Sequence, residues 1–400
     1  MTTELTFRGN LGATRHGWLR LTPAYSVQLV QRILDEEGVA APGARVLDPF
    51  CGTGTTALLC AERGLPADTV DINPFLVWLA RAKTRPYPPA ALATFGRAAA
   101  DVGRAIRRSA GSGAWQPRLH QIEKWWDART AAALARALAR IQALAEGAPV
   151  DDLLRVAFCR ALIERAHVSF GHQSMSFRAA EASGDPEDAL ADAWTRAVAA
   201  LTASAPSPIR EPPAILLGDA RDLAALLPRG RSTAVITSPP YPNRMSYIRE
   251  LRPYMYWLGF LADGRAAGEL DWQAIGGTWG SATSQVGKWQ PGDAPAVPFP
   301  GFTDILAAIG AHSDLLARYV HRYFCDMARH LEGLGAALAP GATIHYVVGN
   351  SKFYDVLLPV ERIFAALFSA AGLSEVKVRP LRKRSSKREL YEYLVSARRG

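Results

Sequence analysis

Apolar positions first recur at helical spacing in LTPAYSVQLVQRILDEEG. Val27, Val30 and Leu34 fall on one stripe with Ile33 beside it, which predicts an amphipathic helix. Thr22 suits its cap, Pro23 its first turn and Gly38 its stop. ARVLD (44–48) then reads as a short buried strand, running into the turn PFCGTGTT and a helix, TTALLCAERG. A second strand, ADTVDIN, ends near Asp71, and another helix starts at Asn73-Pro74. Strand, helix, strand, helix is the order of an α/β fold with a parallel sheet.

From 89 to 210 the pattern changes. Ala and Arg dominate, and Leu134, Leu138, Ile141 and Leu144 recur at helical spacing until Gly147 and Pro149 break the run. A second helix is expected over 151–168. The block predicts a helical insertion, 89–210, in a discontinuous domain formed by 1–88 and 211–400, its stripes read as core packing. Strand-like text resumes with AILLGDA (214–220) and STAVITSPP (232–240). Residues 242–300, rich in aromatics, Gly and Pro, predict a long shaped loop region of the kind that carries function. ATIHYVVGN (342–350) is a further strand. A helix follows on Val360, Ile363, Phe364, Leu367 and Phe368, closed by Gly372. SEVKVRPL and LYEYLVSAR are two last strands joined by RKRSSKRE.

Composition narrows the class. The 400 residues suggest two domains or one large domain with an insertion, and 49% apolar against 21% charged residues is globular. Lys and Arg number 46 and Asp and Glu 37; the net charge of +9 favours a polyanionic partner, most simply nucleic acid. No apolar run reaches the ~18 residues of a membrane span, and the N-terminus lacks an apolar signal core. Cys51, Cys60, Cys159 and Cys325 form no CxxC pair, and the histidines show no HExxH spacing, so no metal site is expected. A reducing, cytoplasmic setting fits best.

DPFCGTGTT, Asp48 to Thr56, lies between a strand and a helix, where glycines let a ligand approach the backbone. Gly52-x-Gly54-x-x-Ala57 also matches a dinucleotide fingerprint, while no Lys follows for a Walker loop. Asp71, with Ile72 and Asn73 beside it, would offer a carboxylate to ribose hydroxyls. Asp48 tilts the choice: it would repel a pyrophosphate and welcome the α-ammonium of S-adenosylmethionine. That cofactor's carboxylate would suit the N–H groups near Thr53, Gly54 and Thr55.

The second motif is TSPPYP, starting at Thr237. Pro239 and Pro240 fix a stiff turn and leave their carbonyls free. This suits methylation of an exocyclic amine, whose lone pair is delocalised into the base. Ser238 and the Pro239 carbonyl would each accept an amine N–H and turn the lone pair towards the methyl group. Tyr241 would stack on a base that has left the helix.

DPFCGTGTT followed by TSPPY resembles the amino-group DNA methyltransferases that use S-adenosylmethionine. The resemblance covers about 1–88 and 211–400. It implies a Rossmann-like methyltransferase sheet of seven strands, mostly parallel, the last antiparallel. It implies cofactor contacts from Pro49, Phe50, Gly52, Gly54, Thr55 and Asp71. It further implies Asp219 and Ala220 in GDA, with Asp219 near the adenine amino group, and Thr22 and Ala24 in LTPAYS. The Ser form of the tetrapeptide is most often seen in cytosine-N4 enzymes. Adenine-N6 or RNA-base methylation is the alternative, as is a catalytically silent DNA-binding module; a nicotinamide oxidoreductase is more distant. The partner implied is double-stranded DNA, and the usual setting is a restriction or phage-defence system. The oligomeric state stays open.

Candidate DNA contacts come from three places. ERAHVSFGHQSMSFR in the insertion offers Arg165, His172, Gln173 and Arg178 to base edges or phosphates. KVRPLRKRSSKR, basic with no acid, offers Arg382, Lys383, Arg384 and Lys387. NRMSYIRELRPYMYW, after the SPPY turn, offers Arg244 and aromatics that would stack on the base or fill its gap. Cys51 is not a nucleophile on this reading, because it sits inside the cofactor turn.

Overall fold

The computed structural model describes residues 9–10, 12, 14–20, 25–36, 39, 41, 43–108, 115–169, 176–179, 184–384 and 389–400. Four strands, β1 (Val46–Asp48), β2 (Ala67–Asp71), β3 (Ala214–Leu217) and β4 (Ser232–Thr237), run parallel in the order β3–β2–β1–β4. β5 (Leu338–Gly349) adds parallel to β4. β7 (Tyr391–Arg399) then lies between β5 and β6 (Leu373–Lys383), antiparallel to both. The sheet order is β6–β7–β5–β4–β1–β2–β3. This is the seven-stranded Rossmann-like methyltransferase sheet, with its last strand reversed.

Period-two alternation divides the sheet's side chains between two cores. Leu47, Val235, Ile344 and Tyr346 pack with Phe324 and Phe364 on one face. Val46, Ala234, Ile236 and Val347 pack on the other with Val30, Ile33 and Leu34 of α1 (Val27–Glu36). The expected start and stop of α1 at Thr22 and Gly38 lie outside the described residues. α2 (Thr55–Arg63) and α3 (Pro74–Thr84) follow β1 and β2, as the sequence predicts. The Asn73 side chain caps α3 by accepting from Phe75 N at 3.0 Å.

Four long helices fill the stretch before β3: α4 (Pro89–Arg107), α5 (Ala128–Ala143), α6 (Val150–Glu164) and α7 (Pro186–Ser204). Their core, in which Leu134, Leu138 and Ile141 are buried with Trp194, is continuous with Phe75, Leu76 and Leu79 of α3. α6 stops at Glu164, short of the expected 168. Residues 168–169 instead pair with 176–177 in a small antiparallel hairpin.

The expected loop over 242–300 is a correction. About half of it is helical: α8 (Tyr247–Trp257), α9 (Gly264–Gln273) and α10 (Ser281–Lys288). Ser246 caps α8, its hydroxyl accepting from Arg249 N at 3.0 Å. Ile248, Leu251 and Met255 supply the buried stripe. Pro253 hides the helix in the sequence because it lacks an N–H for the Arg249 carbonyl. Arg252 Nη1 donates to that carbonyl at 2.7 Å instead. α11 (Phe302–Gly310), α12 (Asp314–Ala337) and α13 (Val360–Ala370) complete the fold. All five stripe residues expected for α13 are buried. Because β1 to β4 are parallel, the motifs that follow them gather at one sheet edge.

Candidate active site

The glycine turn is held from below. Cys51 N donates to Val70 O and Gly54 N to Cys51 O, both at 2.9 Å. Gly52 and Gly54 adopt φ of +52° and +78°, which favours glycine. A Cβ on Gly54 would also lie 2.9 Å from the Ala80 Cβ, so the turn can rest against α3 only without one. Asp71 closes the arrangement, accepting from Gly52 N at 2.7 Å and from Asn73 N at 2.8 Å. Burial pushes its carboxyl up to about 7, against the pull of those N–H donors.

One cavity joins the motifs. Pro49, Phe50, Gly52 and Thr55 of the turn line it with Asp71, Ile72 and Asn73, with Asp219 and Ala220, and with Ser238 and Pro240. Tyr25, Tyr247 and Ile275 are also on its walls, and among the described residues no Lys or Arg lines it. Asp48 does not reach it and is corrected here: it is fully buried behind the wall. Its carboxylate accepts from Thr237 Oγ1 at 2.6 Å and Phe50 N at 3.1 Å, with the Tyr25 hydroxyl 3.3 Å away. It ties β1 to β4 rather than facing a ligand. Gly54, Pro239 and Tyr241 also stand off the wall. Thr22 and Ala24 lie outside the described residues. Burial holds the Cys51 thiol well above its usual range, so it stays neutral.

The SPPY turn is fixed by neighbours the sequence does not reveal. Ser238 Oγ donates to Val347 O on β5 at 3.1 Å and lies 3.5 Å from the Tyr241 hydroxyl. The Pro240 carbonyl, expected to be free, accepts from Tyr323 at 2.7 Å. No donor among the described residues reaches the Pro239 carbonyl. The Arg384 guanidinium sits over the Tyr241 ring, 5.1 Å from its centroid. Gly349 permits this closeness, since a Cβ there would lie 2.9 Å from the ring.

One face of α12 fastens the site. Tyr319, Tyr323, Asp326 and His330 recur at spacings of about four, three and four, a single helical stripe. The Tyr319 hydroxyl accepts from Arg244 N at 3.2 Å, just after the SPPY turn. Asp326 holds Arg221 at 2.9 Å, and Arg221 grips Asp219 at 2.6 Å. His330 meets the Ala220 carbonyl at 2.7 Å and the Tyr346 hydroxyl at 2.6 Å. Burial lowers its pKa to about 4, so it is neutral: Nδ1 donates to Ala220 and Nε2 accepts from Tyr346. These residues were not singled out from the sequence; the signal that could have found them is their helical spacing, but their partners lie far away in sequence.

The expected nucleic-acid contacts divide. Arg244 and Arg384 line a second cavity beside the SPPY turn. Arg382 is corrected: Glu392 holds it at 2.7 and 2.8 Å, so its charge is already matched. Lys383 ends β6. Arg165 follows the end of α6, and Arg178 follows the small hairpin; neither lines the cofactor-side cavity. His172, Gln173 and Lys387 lie outside the described residues. Among the described residues no three His, Cys, Asp or Glu gather as metal ligands, and no helix is long and apolar enough to cross a membrane.

The sheet is of the Rossmann-like methyltransferase type, and the glycine turn precedes the SPPY turn along the chain, both at one sheet edge. No family model matches the chain. Over 70 residues it is 34% identical to the Type II methyltransferase M.BsoBI of Geobacillus stearothermophilus. The match covers 18% of this chain and 14% of that protein. The Type II methyltransferase M.AvaI of Nostoc sp. (strain PCC 7120) is 31% identical over 70 residues, with the same shares. The likeness thus spans only 14% of the length of these relatives. Among solved structures, the rRNA methyltransferase aviRa of Streptomyces viridochromogenes is 16% identical, with a TM-score of 0.31. That superposition covers 94% of this chain and 86% of the other, too loosely to compare the two site by site.

Proposed function

We propose that the chain is an S-adenosylmethionine-dependent DNA methyltransferase acting on an exocyclic base amine, the N4 of cytosine, in a short specific duplex sequence. One observation carries this: Ser238 lines a cavity walled by the acids Asp71 and Asp219, with no Lys or Arg among its described lining residues. A pyrophosphate would find no cationic side chain to pair with there, which disfavours a nicotinamide dinucleotide. A phosphate-free, cationic nucleoside fits. Asp71 would accept from the ribose hydroxyls and Asp219 from the adenine amine, between Phe50 and Ile72. When bound, S-adenosylmethionine supplies an electrophilic methyl group on a sulfonium centre.

The residues around the acceptor do the rest. Because Ser238 donates its own proton to Val347 O, its lone pairs are left to accept an amine N–H. The Pro239 carbonyl, between the lining residues Ser238 and Pro240 and without a donor among the described residues, would be the second acceptor. Two such bonds would draw the nitrogen towards tetrahedral and free its lone pair for transfer. Tyr247, on the cavity wall, would border the extruded base. The Type II relatives support a modification setting in which the methyl mark protects DNA from a nuclease.

Nucleoside mass spectrometry of unmethylated DNA treated with the protein and S-adenosylmethionine tests the reading. N4-methylcytosine is expected. N6-methyladenine would keep the mechanism and overturn the base assignment drawn from Ser238. Cofactor binding without any DNA methylation would overturn the DNA substrate.

A further inference from the structure

Tyr241 joins two cavities. Its hydroxyl lies 3.5 Å from Ser238 Oγ on the first, and its ring lies under Arg384, which lines the second. The second is walled by Asn243, Arg244, Ser351, Lys352, Tyr354 and Arg384, and among the described residues no carboxylate lines it. Lys352 brings no free charge, because Glu389 at 2.8 Å and Asp355 at 3.9 Å already hold it. The arginines differ. Arg384 commits Nη1 to the Asn350 carbonyl at 2.8 Å, leaving the rest of its donor fork. Arg244 is exposed, and its guanidinium has no partner among the described residues. Its backbone is held at φ +63°, uncommon outside glycine, with its N–H on the Tyr319 hydroxyl at 3.2 Å.

Ser351 supplies the second observation. It is 4% exposed, lines this cavity, and its hydroxyl has no hydrogen-bond partner among the described residues. A buried hydroxyl without a partner is costly unless a ligand completes it. Two arginines and an orphan hydroxyl, with no carboxylate among the described lining residues, form a donor-rich site for a compact anion.

We propose that Arg244, Arg384 and Ser351 bind a phosphodiester of the strand whose base is seated at Ser238. The proposal rests on the DNA methyltransferase reading above and gives it a fixed anchor. A nucleotide's own phosphate lies one sugar away from its base, and this cavity lies one tyrosine away from the base seat. Phosphate capture here would set where the sugar enters and so hold the extruded nucleotide in register.

The test uses the full chain with unmethylated duplex DNA and S-adenosylmethionine. Arg244→Gln is expected to raise KM for DNA about 10-fold and to reduce the slope of log affinity against log salt by about one. Ser351→Ala should raise KM about three-fold and leave the salt slope alone, since it removes a neutral donor. Wild-type transfer combined with an Arg244→Gln variant of unaltered KM and salt slope overturns the site alone. Loss of both DNA binding and transfer in the wild-type chain overturns the parent reading and the site with it. If inorganic phosphate at constant ionic strength raises Tm through Arg244 while the variant's DNA affinity is unchanged, the anion is free phosphate and the DNA assignment falls. Tighter binding of single-stranded RNA than of duplex DNA, lost in Arg244→Gln, also overturns the DNA assignment.

Discussion

The Tyr323 hydroxyl donates to the Pro240 carbonyl at 2.7 Å, across a sequence gap of 83 positions. It thereby fixes the second proline of the SPPY turn from a helix that carries no recognisable motif. Four residues further along the same face is a turn of helix, and His330, seven positions beyond Tyr323, fixes Ala220 in the same manner. The rigidity of the proposed transfer site therefore depends on α12 as much as on the motifs themselves.

Tyr323→Phe should lower kcat about 5-fold, because losing one neutral hydrogen bond to a positioned carbonyl loosens the turn by about 1 kcal/mol. Affinity for S-adenosylmethionine should hold, since Tyr323 does not line its cavity. Single-turnover kinetics with a parallel cofactor titration measures both. An unchanged kcat would reduce Tyr323 to packing.

Ser238→Ala should lose about 100-fold or more in turnover, as removal of a positioned polar group at a reacting centre does. Isothermal titration should still detect cofactor binding. Normal turnover in this variant would remove Ser238 from the mechanism.

Asp71 titrates near neutrality because burial holds its carboxyl up to about 7. A proton bound more tightly in the folded than in the unfolded state stabilises the fold at low pH. That contribution fades as pH rises from about 4 through 7. The ligand-free protein's Tm should therefore fall over that window, and less steeply in Asp71→Asn. Cofactor affinity should move the other way, strengthening from pH 6 to pH 8 as the carboxylate becomes a full acceptor. Melting curves and titrations at each pH check the two trends, and a flat affinity profile would detach Asp71 from the ribose.

Arg382→Gln should cost stability rather than DNA affinity. Its guanidinium matches Glu392, whose carboxylate is mostly buried, and unpairing that group costs roughly 1–3 kcal/mol. A lower denaturation midpoint with the wild-type salt slope is expected. A reduced slope would return Arg382 to the phosphate contacts.

The sequence by itself determined the local parts. The alternation from Ala44 to Asn73 specified strand, turn and helix, because burial period and glycine conformations are set by neighbouring residues. Asp71 and Ser238 were legible for the same reason, as each lies at the end of an apolar strand. The Pro-rich stretch after Tyr241 was misread because Pro253 conceals a helix whose missing bond a side chain replaces. Tertiary structure alone decided which polar groups face a ligand. Asp48 looked like a cofactor contact, yet Thr237, which sits on a neighbouring strand, takes its carboxylate. Arg382 and Arg384 look alike in a basic run, yet Glu392 matches one and Tyr241 lies beneath the other. Such partners come together only when distant segments pack, and a one-dimensional pattern of residue types does not encode their distances.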